Sequence, residues 1–472
     1  MSVIKELSGP SFSKFITQLT DAIRGTEADY TQISIKKAVF LLAVPMILEL
    51  VMESTFALVD IYFVGKLGSS AVATVGLTET YLFILYSISM GLATAVTAII
   101  ARRTGEKNTE EAGETAIQSI ILGIIASVPF AIAGIFYAKE LLALMGADQW
   151  ALEHGYRYTQ WMLGGNFVIM LLFILNAIFR GAGDAAVAMK ILWISNIINI
   201  ILDPVFIFGF AFIPSYGIEG AAIATNIGRS TGVILQIWIL FKGSKHIQAK
   251  ISEIRWNAKI MWNIFRTSIG GIGQMFVGMS SWIFLMRILA DTGSEAVAGS
   301  TIALRIMLFT LMPAWGLSNA AATLVGQNLG AGKPDRAEAA VWRTGIYNMI
   351  FLIAVSSVYF FFNESLMKMF TDDKTIIEIG SSWLRILSYA YFIYGWWMVS
   401  AQAFNGSGDT RTPTLINIVF FWMIQIPLSY YLALDLNWQY LGVYWGVFIS
   451  ETSVGIFTLW LFTRGKWKNV KV

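Results

Sequence analysis

The 472-residue sequence contains no cysteine and only two histidines, His154 and His246. The first absence excludes a disulfide framework, a thiolate metal site and a thiol nucleophile, and says nothing here about compartment. Charge is also scarce. Only 13% of the residues are charged, where soluble domains carry about a quarter. Gly-rich loops occur, but none leads into the Lys-Ser or Lys-Thr of a phosphate-binding loop. No nucleotide site, cofactor or catalytic constellation is therefore expected, and no enzyme. A net charge of +3 gives no reason to expect nucleic acid as a partner. What fills the chain is apolar: 56% hydrophobic residues and a mean hydropathy of +0.64.

A hydrocarbon core about 30 Å thick takes roughly 20 apolar residues per spanning helix. Such runs fall at 38–63, 75–101, 116–138, 156–179, 187–213, 217–241, 261–287, 298–325, 342–362, 377–404, 413–434 and 440–463. Barrel strands would be alternating segments of about ten residues, and these runs are not. Helices satisfy their own backbone hydrogen bonds in lipid. The expectation is an all-α polytopic membrane protein with twelve transmembrane helices and the bilayer as its surroundings. About 24 of the 33 Lys and Arg fall on the side of the termini and about 8 opposite, which places both termini in the cytoplasm.

The spacing divides the chain into a cytoplasmic segment 1–37, an N-lobe 38–242, a cytoplasmic linker 243–260, a C-lobe 261–463 and a cytoplasmic tail 464–472. Residues 1–37 lack the pattern of a secretory signal. Phe12, Phe15, Ile16, Leu19 and Ile23 share one helical side, with Lys14, Asp21 and Arg24 elsewhere, as in an interfacial helix; a partly ordered tail is the alternative. The linker carries Lys245, His246, Lys250 and Arg255, a charge run of the kind cytoplasmic connections carry.

A shift of 225 residues superimposes the halves. Gly68-Ser69-Ser70-Ala71-Val72-Ala73 falls on Gly293-Ser294-Glu295-Ala296-Val297-Ala298, and Gly91 and Gly105 fall on Gly316 and Gly330. Gly181, Gly183 and Asp184 fall on Gly406, Gly408 and Asp409, and Gly217 falls on Gly442. Six spans per half give both halves the same topology, a parallel repeat about an axis along the membrane normal with the substrate path between lobes.

The repeat is also an internal control, because features that only build the fold should recur. Gly181, Gly183 and Asp184 recur and read as a turn and a helix cap. The intramembrane acids do not recur. Asp60 falls on Leu285, Asp203 on Leu428, Glu53 on Gly278 and Glu49 on Gln274, while Asn199 falls on Ile424 and Asn176 on Ala401. An ionisable group at the bilayer centre costs about 2.5–3.5 kcal/mol on insertion scales and marks an ion or substrate path.

Pro45, Glu49, Glu53 and Asp60 share one face of the first span, and Asn196, Asn199 and Asp203 one face of the fifth. Their oxygens suit Na⁺, and a desolvated carboxylate suits a proton. The competing explanation is a structural ion pair, with Arg229, which falls on Val454, as the partner. Glu219 and Glu451 read as interfacial acids near span ends. Pro45 frees a backbone carbonyl and marks a hinge; the corresponding Gly270-Gly271-Ile272-Gly273 is a hinge or a close-packing surface. In the second half Trp315, Tyr389, Tyr391, Tyr394, Trp396, Trp397, Met398, Trp422 and Met423 either line a pocket for flat cations or anchor the protein at the interface.

These residues resemble a known family. Pro45, Asp60, Phe63-Val64-Gly65-Lys66-Leu67-Gly68 and Ala71-Val72-Ala73-Thr74-Val75-Gly76-Leu77 are similar to the first-span signature of multidrug and toxic compound extrusion (MATE) transporters. Arg180-Gly181-Ala182-Gly183-Asp184, Gly220-Ala221-Ala222 and Gly326-Gln327-Asn328-Leu329-Gly330-Ala331 resemble three further family motifs. The resemblance runs from about residue 38 to 460. It implies a V-shaped pair of six-helix lobes exporting organic cations or other amphiphiles in exchange for Na⁺ or H⁺. The acids that one branch carries on its seventh and tenth spans are missing here, so the chain looks closer to the DinF-type branch, with its cation site in the first lobe. Matched position by position, that site comprises Asp60, Asn176, Asn199, Asp203 and Thr225, with Pro45 as the bend. Glu49 and Glu53 stand where uncharged residues are expected and form a candidate substrate or second cation site.

The function expected from the sequence is a cation-coupled antiporter of the bacterial cytoplasmic membrane, exporting small organic compounds by alternating access as a monomer. A flippase for a lipid-linked precursor would prefer a cationic central cavity. A non-transporting receptor would carry a sizeable extramembrane domain.

Overall fold

The computed structural model describes residues 10–26, 28–243, 246–250, 252 and 254–470, with side chains from residue 15 onward. Lys245 and the side chains of Phe12 and Lys14 lie outside the described residues. The helices are α1 (Pro10–Arg24), α2 (Ile35–Gly65), α3 (Ser69–Gly105), α4 (Thr109–Leu144), α5 (Tyr156–Gly164), α6 (Asn166–Ala182), α7 (Ala185–Phe208), α8 (Ile218–Lys242), α9 (Ala258–Thr292), α10 (Ser294–Gly330), α11 (Pro334–Lys368), α12 (Lys374–Ser388), α13 (Tyr391–Ser407), α14 (Arg411–Asn417), α15 (Ile426–Tyr430) and α16 (Tyr440–Thr463). Among the described residues the only extended pairing is one bridge between Phe210 and Ile213.

Nine helical stretches, among the described residues, are long and apolar enough to cross a bilayer. The three other predicted spans are α2 and α8, which carry ionisable residues in mid-helix, and the pair α12–α13. That pair is interrupted between Ser388 and Tyr391, so neither piece alone has spanning length. The interruption belongs to the repeat. Ala390 sits in it, as Gly165 sits between α5 and α6, at the predicted offset.

Two further features repeat, the first of which no sequence signal announced. Helix α4 kinks at Tyr137 and α11 at Phe362, with nearly the same non-helical angles (φ −126°, ψ 19° and φ −124°, ψ 17°). The turns that end α6 and α13 also match. Gly183 and Gly408 adopt φ +94° and +93°, and the next amide, from Asp184 or Asp409, donates back to the carbonyl of Phe179 or Phe404. This is the left-handed glycine cap that only a residue without a Cβ adopts cheaply. The two carboxylates differ: Asp409 accepts from the Thr412 amide at 3.1 Å, whereas Asp184 makes no side-chain cap bond to its helix.

The pairing of Gly217 with Gly442 needs correction. Gly220 packs on Phe206 and Ile207, and Gly442 packs in the same way on Leu432 and Ala433. The amides of Gly217 and Gln439 donate to Ile207 and Ala433 respectively. Gly217 therefore corresponds to Gln439 and Gly220 to Gly442. The physical cause is a π-helical stretch, Ile418–Gln425, which inserts one residue, followed by a connection several residues shorter. Two site residues change partners as a result. Asp203 corresponds to Ser429 rather than Leu428, and Arg229 corresponds to Glu451 rather than Val454.

The lobes meet along α2, α3, α9 and α10, and the seam is made of the repeated glycines. A methyl group on Gly91 would overlap Ile272, and one on Gly316 would overlap Ile47; one on Gly105 would overlap the Gln327 carbonyl, and one on Gly330 the Arg102 carbonyl. Each contact is the other's image under the repeat, as a two-fold axis between parallel lobes requires. Gly271 serves this packing as well, lying on Gly91, whereas Gly270 packs within the C-lobe on Thr410.

At the end of the bundle that carries both termini, a strap reinforces the seam. Tyr30, 3% exposed, lies against Gly183 of the N-lobe. Arg336 of the C-lobe donates to the carbonyls of Tyr30 and Ile33, and Lys333 to that of Thr31 at 3.0 Å. Helix α1 lies beside it, Phe15 meeting Phe40 edge-on at 5.9 Å. Phe15, Ile16 and Ile23 remain exposed, as an interfacial helix requires.

The absence of native cysteine makes closure at this end measurable. Arg336→Gln with Lys333→Gln removes the strap's anchors. In an Asn319→Cys background, which places one thiol on the wall between the lobes, labelling by an impermeant maleimide from the terminal side should rise several-fold. Unchanged labelling would leave the strap no part in closure.

Candidate functional site

A cavity of about 160 Å³ lies between the lobes. Its N-lobe wall contains Glu49, Glu53, Phe173, Asn176, Arg180 and Arg229, and its C-lobe wall Met275, Trp315, Asn319, Gln402 and Asn405. One wall is ionic and the other is amide and aromatic. Of the aromatic residues singled out in the second half, Trp315 is the one on this wall. Tyr389 lines a separate shallow groove with Phe360 and Phe361, Trp422 and Met423 are exposed on the outside of the bundle, and Tyr391 and Met398 are buried in the lobe.

Helices α2, α6, α7 and α8 carry the polar side chains in three levels. At the first, Glu49 is 3% exposed and accepts from Asn176 at 3.1 Å and Arg180 at 3.4 Å. The Asn176 carbonyl oxygen accepts from Gln236 at 2.5 Å. At the second, one turn further along α2, Glu53 accepts from Arg229 at 2.9 Å and from Asn196 at 3.0 Å. At the third, Asn199 donates to Thr225 at 3.0 Å, and Asp203 and Asp60 are near enough for their charges to interact.

The levels differ in how their charge is met. Glu49 and Glu53 each have a guanidinium, the structural pairing weighed against an ion site; Arg229 is the predicted partner, and Arg180 a second one. Asp203 is fully buried, and neither of its oxygens has a hydrogen-bond partner. Asp60 Oδ1 and Asn199 Oδ1 are also buried and unpartnered. Four acceptor oxygens thus share one level without a donor, and two of them belong to one carboxylate, the group whose burial without a partner costs most. Asp60 also feels the Arg229 charge, so one guanidinium stands between this level and the cavity wall.

The sequence-predicted set is brought together only in part. Asp60, Asn199, Asp203 and Thr225 share the third level. Asn176 belongs to the Glu49 level, because its partner Gln236 lies eleven residues beyond Thr225 on α8, about 16 Å along the helix. Helix α2 runs unbroken through the buried Pro45. Glu219 behaves as an interfacial acid, meeting Arg157 at 3.4 Å and Trp161 at 2.9 Å. Glu451 does not: it is buried in mid-α16 and interacts electrostatically with Tyr391 and Tyr394.

Residues not anticipated from the sequence are Arg180, Gln236, Tyr158 and Glu79. Tyr158 is buried and feels Asp60, Glu79 and Asp203. The signal that exposed the other acids was available for Glu79, which falls on Leu304 in the repeat.

A membrane-embedded bundle of two like lobes, with a cavity between them and partnerless carboxylate oxygens in one lobe, is the architecture of a secondary transporter. The MatE family model matches residues 45–205 and again 268–431, once in each lobe. The chain belongs to that family. It is 26% identical over 437 residues to "Probable multidrug resistance protein NorM" of Thermotoga maritima, covering 92% of this chain and 94% of the relative. It is 24% identical to the multidrug export protein MepA of Staphylococcus aureus, covering 88% and 91%. The structure of an outward-facing multidrug resistance MATE family transporter of the MOP superfamily superposes with a TM-score of 0.86 at 25% identity, covering 94% of this chain and 99% of that one. The protein is thus an integral membrane transporter that exports small molecules.

The Glu49–Arg180 pair allows a stability test. Removing one member of a buried pair typically costs about 3–5 kcal/mol, whereas removing both is much milder. Arg180→Met should therefore lower the thermal midpoint in detergent more than Arg180→Met with Glu49→Gln. Equal losses would show the pair to be solvated.

Proposed function

We propose that this transporter is an antiporter that couples entry of H⁺ or Na⁺ to export of small organic compounds, cationic or amphiphilic, by alternating access. It acts as a monomer in the bacterial cytoplasmic membrane with both termini inside. The observation that carries this reading is the third level: Asp203 fully buried with neither oxygen partnered, and Asp60 and Asn199 offering further free oxygens beside it. A carboxylate so placed is tolerable only when neutralised, by a proton or by a bound cation. Carboxylate and amide oxygens with the Thr225 hydroxyl nearby are a hard donor set, compatible with Na⁺ as well as H⁺. Location of this set in the N-lobe supports the DinF-type branch.

Arg229 supplies the link to substrate. It pairs with Glu53 on the cavity wall and also feels Asp60. Neutralising the third level releases Arg229 to bind Glu53 alone; emptying it draws the guanidinium away and leaves Glu53 to a cationic substrate. Occupancy at the two sites is thereby opposed, and such coupling acts equally in both directions. Glu53, whose side chain is 35% exposed, is the acid of the pairs better placed to receive a substrate.

The test uses proteoliposomes. Asp60→Asn and Asp203→Asn should each reduce substrate-dependent ion flux at least tenfold, and applying a sodium gradient at fixed pH against a pH gradient without sodium identifies the ion. Coupled flux at the parent rate in both variants removes this assignment. A second outcome concerns charge selection: Glu53→Gln should slow export of a monocationic dye more than that of an uncharged analogue of similar size.

A further inference from the structure

Beside the third level stands an acid that neither the family signature nor the sequence-derived site included. Glu79 stands ten residues into α3, on the side of the bundle away from the termini, and is exposed. Its surroundings are fixed by α5. The neighbouring Thr78 is hydrogen-bonded to Thr159 at 2.7 Å, both buried, and Gly155 lies on Thr74 one turn earlier. This brings Glu79 to the level of Tyr158, and Asp60 and Tyr158 both feel its charge.

Exposure falls along the series: Glu79 is exposed, Asp60 intermediate and Asp203 fully buried with both oxygens unpartnered. The three do not converge on a single point, because among the described residues no group of three such side chains is close enough to hold one metal ion. Glu79 and the Asp60–Asp203 pair are therefore separate stops, graded from the surface of the bundle to its interior. The other titratable groups around them are Tyr86 on α3, Tyr158 on α5 and the Glu53–Arg229 pair, whose cation is already engaged by Glu53.

We infer that Glu79 is the outer docking site for the coupling cation, a surface carboxylate that collects H⁺ or Na⁺ from the outside and passes it by way of Asp60 to Asp203. An exposed carboxylate loses and gains its ion quickly, while a fully buried one cannot equilibrate with water directly. A local negative potential raises the concentration of cations at a site and hence their rate of entry. Glu79 therefore sets the external affinity and entry rate, and Asp203 sets the coupling. Its place in the repeat is held by Leu304, so the device belongs to the N-lobe alone.

The inference rests on the antiport reading above, and the experiment separates the two. In proteoliposomes, with the external concentration of H⁺ or Na⁺ varied, Glu79→Gln should raise the half-saturating cation concentration about tenfold and leave the maximal rate within twofold. Glu79→Asp should restore it. In this cysteine-free chain, Glu79→Cys modified with an anionic methanethiosulfonate should recover the parent affinity, and modification with a cationic one should not; this comparison within one folded variant keeps the test decisive even if Glu79→Gln folds poorly. Half-saturation unchanged by Glu79→Gln and indifferent to the sign of the added charge would overturn the docking role while leaving Asp203 untouched. Coupled flux surviving in Asp203→Asn would instead overturn the antiport reading.

Discussion

Two guanidinium groups face four carboxylates inside the N-lobe, and everything that distinguishes this bundle from an inert one follows from that shortage. Arg180 is engaged by Glu49 and Arg229 by Glu53, which leaves Asp203 and Asp60 without a hydrogen-bonded cation. In water such an imbalance would be trivial; in a low-dielectric interior it costs several kcal/mol for each uncompensated ion. In the proposed antiport a small mobile cation neutralises it, and Arg229, which also feels Asp60, offsets part of it when that cation is gone. The acids on the cavity wall and the acids at the third level are thus chemically alike and functionally unlike, separated only by the presence of an arginine.

The repeat explains why this shortage can exist without destroying the fold. Seam glycines, paired kinks at Tyr137 and Phe362 and the left-handed caps at Gly183 and Gly408 are common to both lobes, so the scaffold does not depend on the charged side chains. In the C-lobe the positions of Glu49 and Arg180 are held by Gln274 and Asn405, which meet through a neutral hydrogen bond at 3.1 Å. One lobe keeps the geometry with amides while the other carries it with ions. Glu451, at the position of Arg229, reverses the charge in the second lobe and meets tyrosines rather than a carboxylate.

The spans, the lobes, the glycine motifs and most of the third level were legible in the sequence because each leaves a one-dimensional trace: a run of apolar residues, a constant offset, a shared helix face. Contacts that depend on register across the π stretch were not. An inserted residue in Ile418–Gln425 changes no composition, yet it moves the counterpart of Asp203 from Leu428 to Ser429, and the shorter connection after it moves that of Arg229 from Val454 to Glu451. Asn176 was grouped with Asp203 by family resemblance, and only the packing of α6 against α8 shows that Gln236 and Glu49 hold it elsewhere. The kinks at Tyr137 and Phe362 contain no proline and had no local signal. Glu79 was legible by the same offset comparison that singled out Asp60, since Leu304 holds its place in the second half.

Where the seam and the proposed ion site lie also limits how the protein can move. The glycine contacts at Gly105 and Gly330 and the strap at Tyr30 join the lobes at the terminal end, whereas Asp60, Asp203 and Glu79 lie toward the other. Contacts between bare backbones are short-ranged, so a rotation of a few degrees about the middle of the seam forfeits most of their dispersion energy at one end. Moving one charge through 100 mV supplies about 2.3 kcal/mol, and shifting a two-state equilibrium from one side to the other takes about 5.5 kcal/mol. The potential acting on a single ion is therefore insufficient to work the lobes unaided. In the proposed antiport the remainder has to come from the difference in how well the two conformations hold the ion and the substrate, which is why that proposal gives the guanidinium shared between Asp60 and Glu53 more weight in the cycle than the depth of either site.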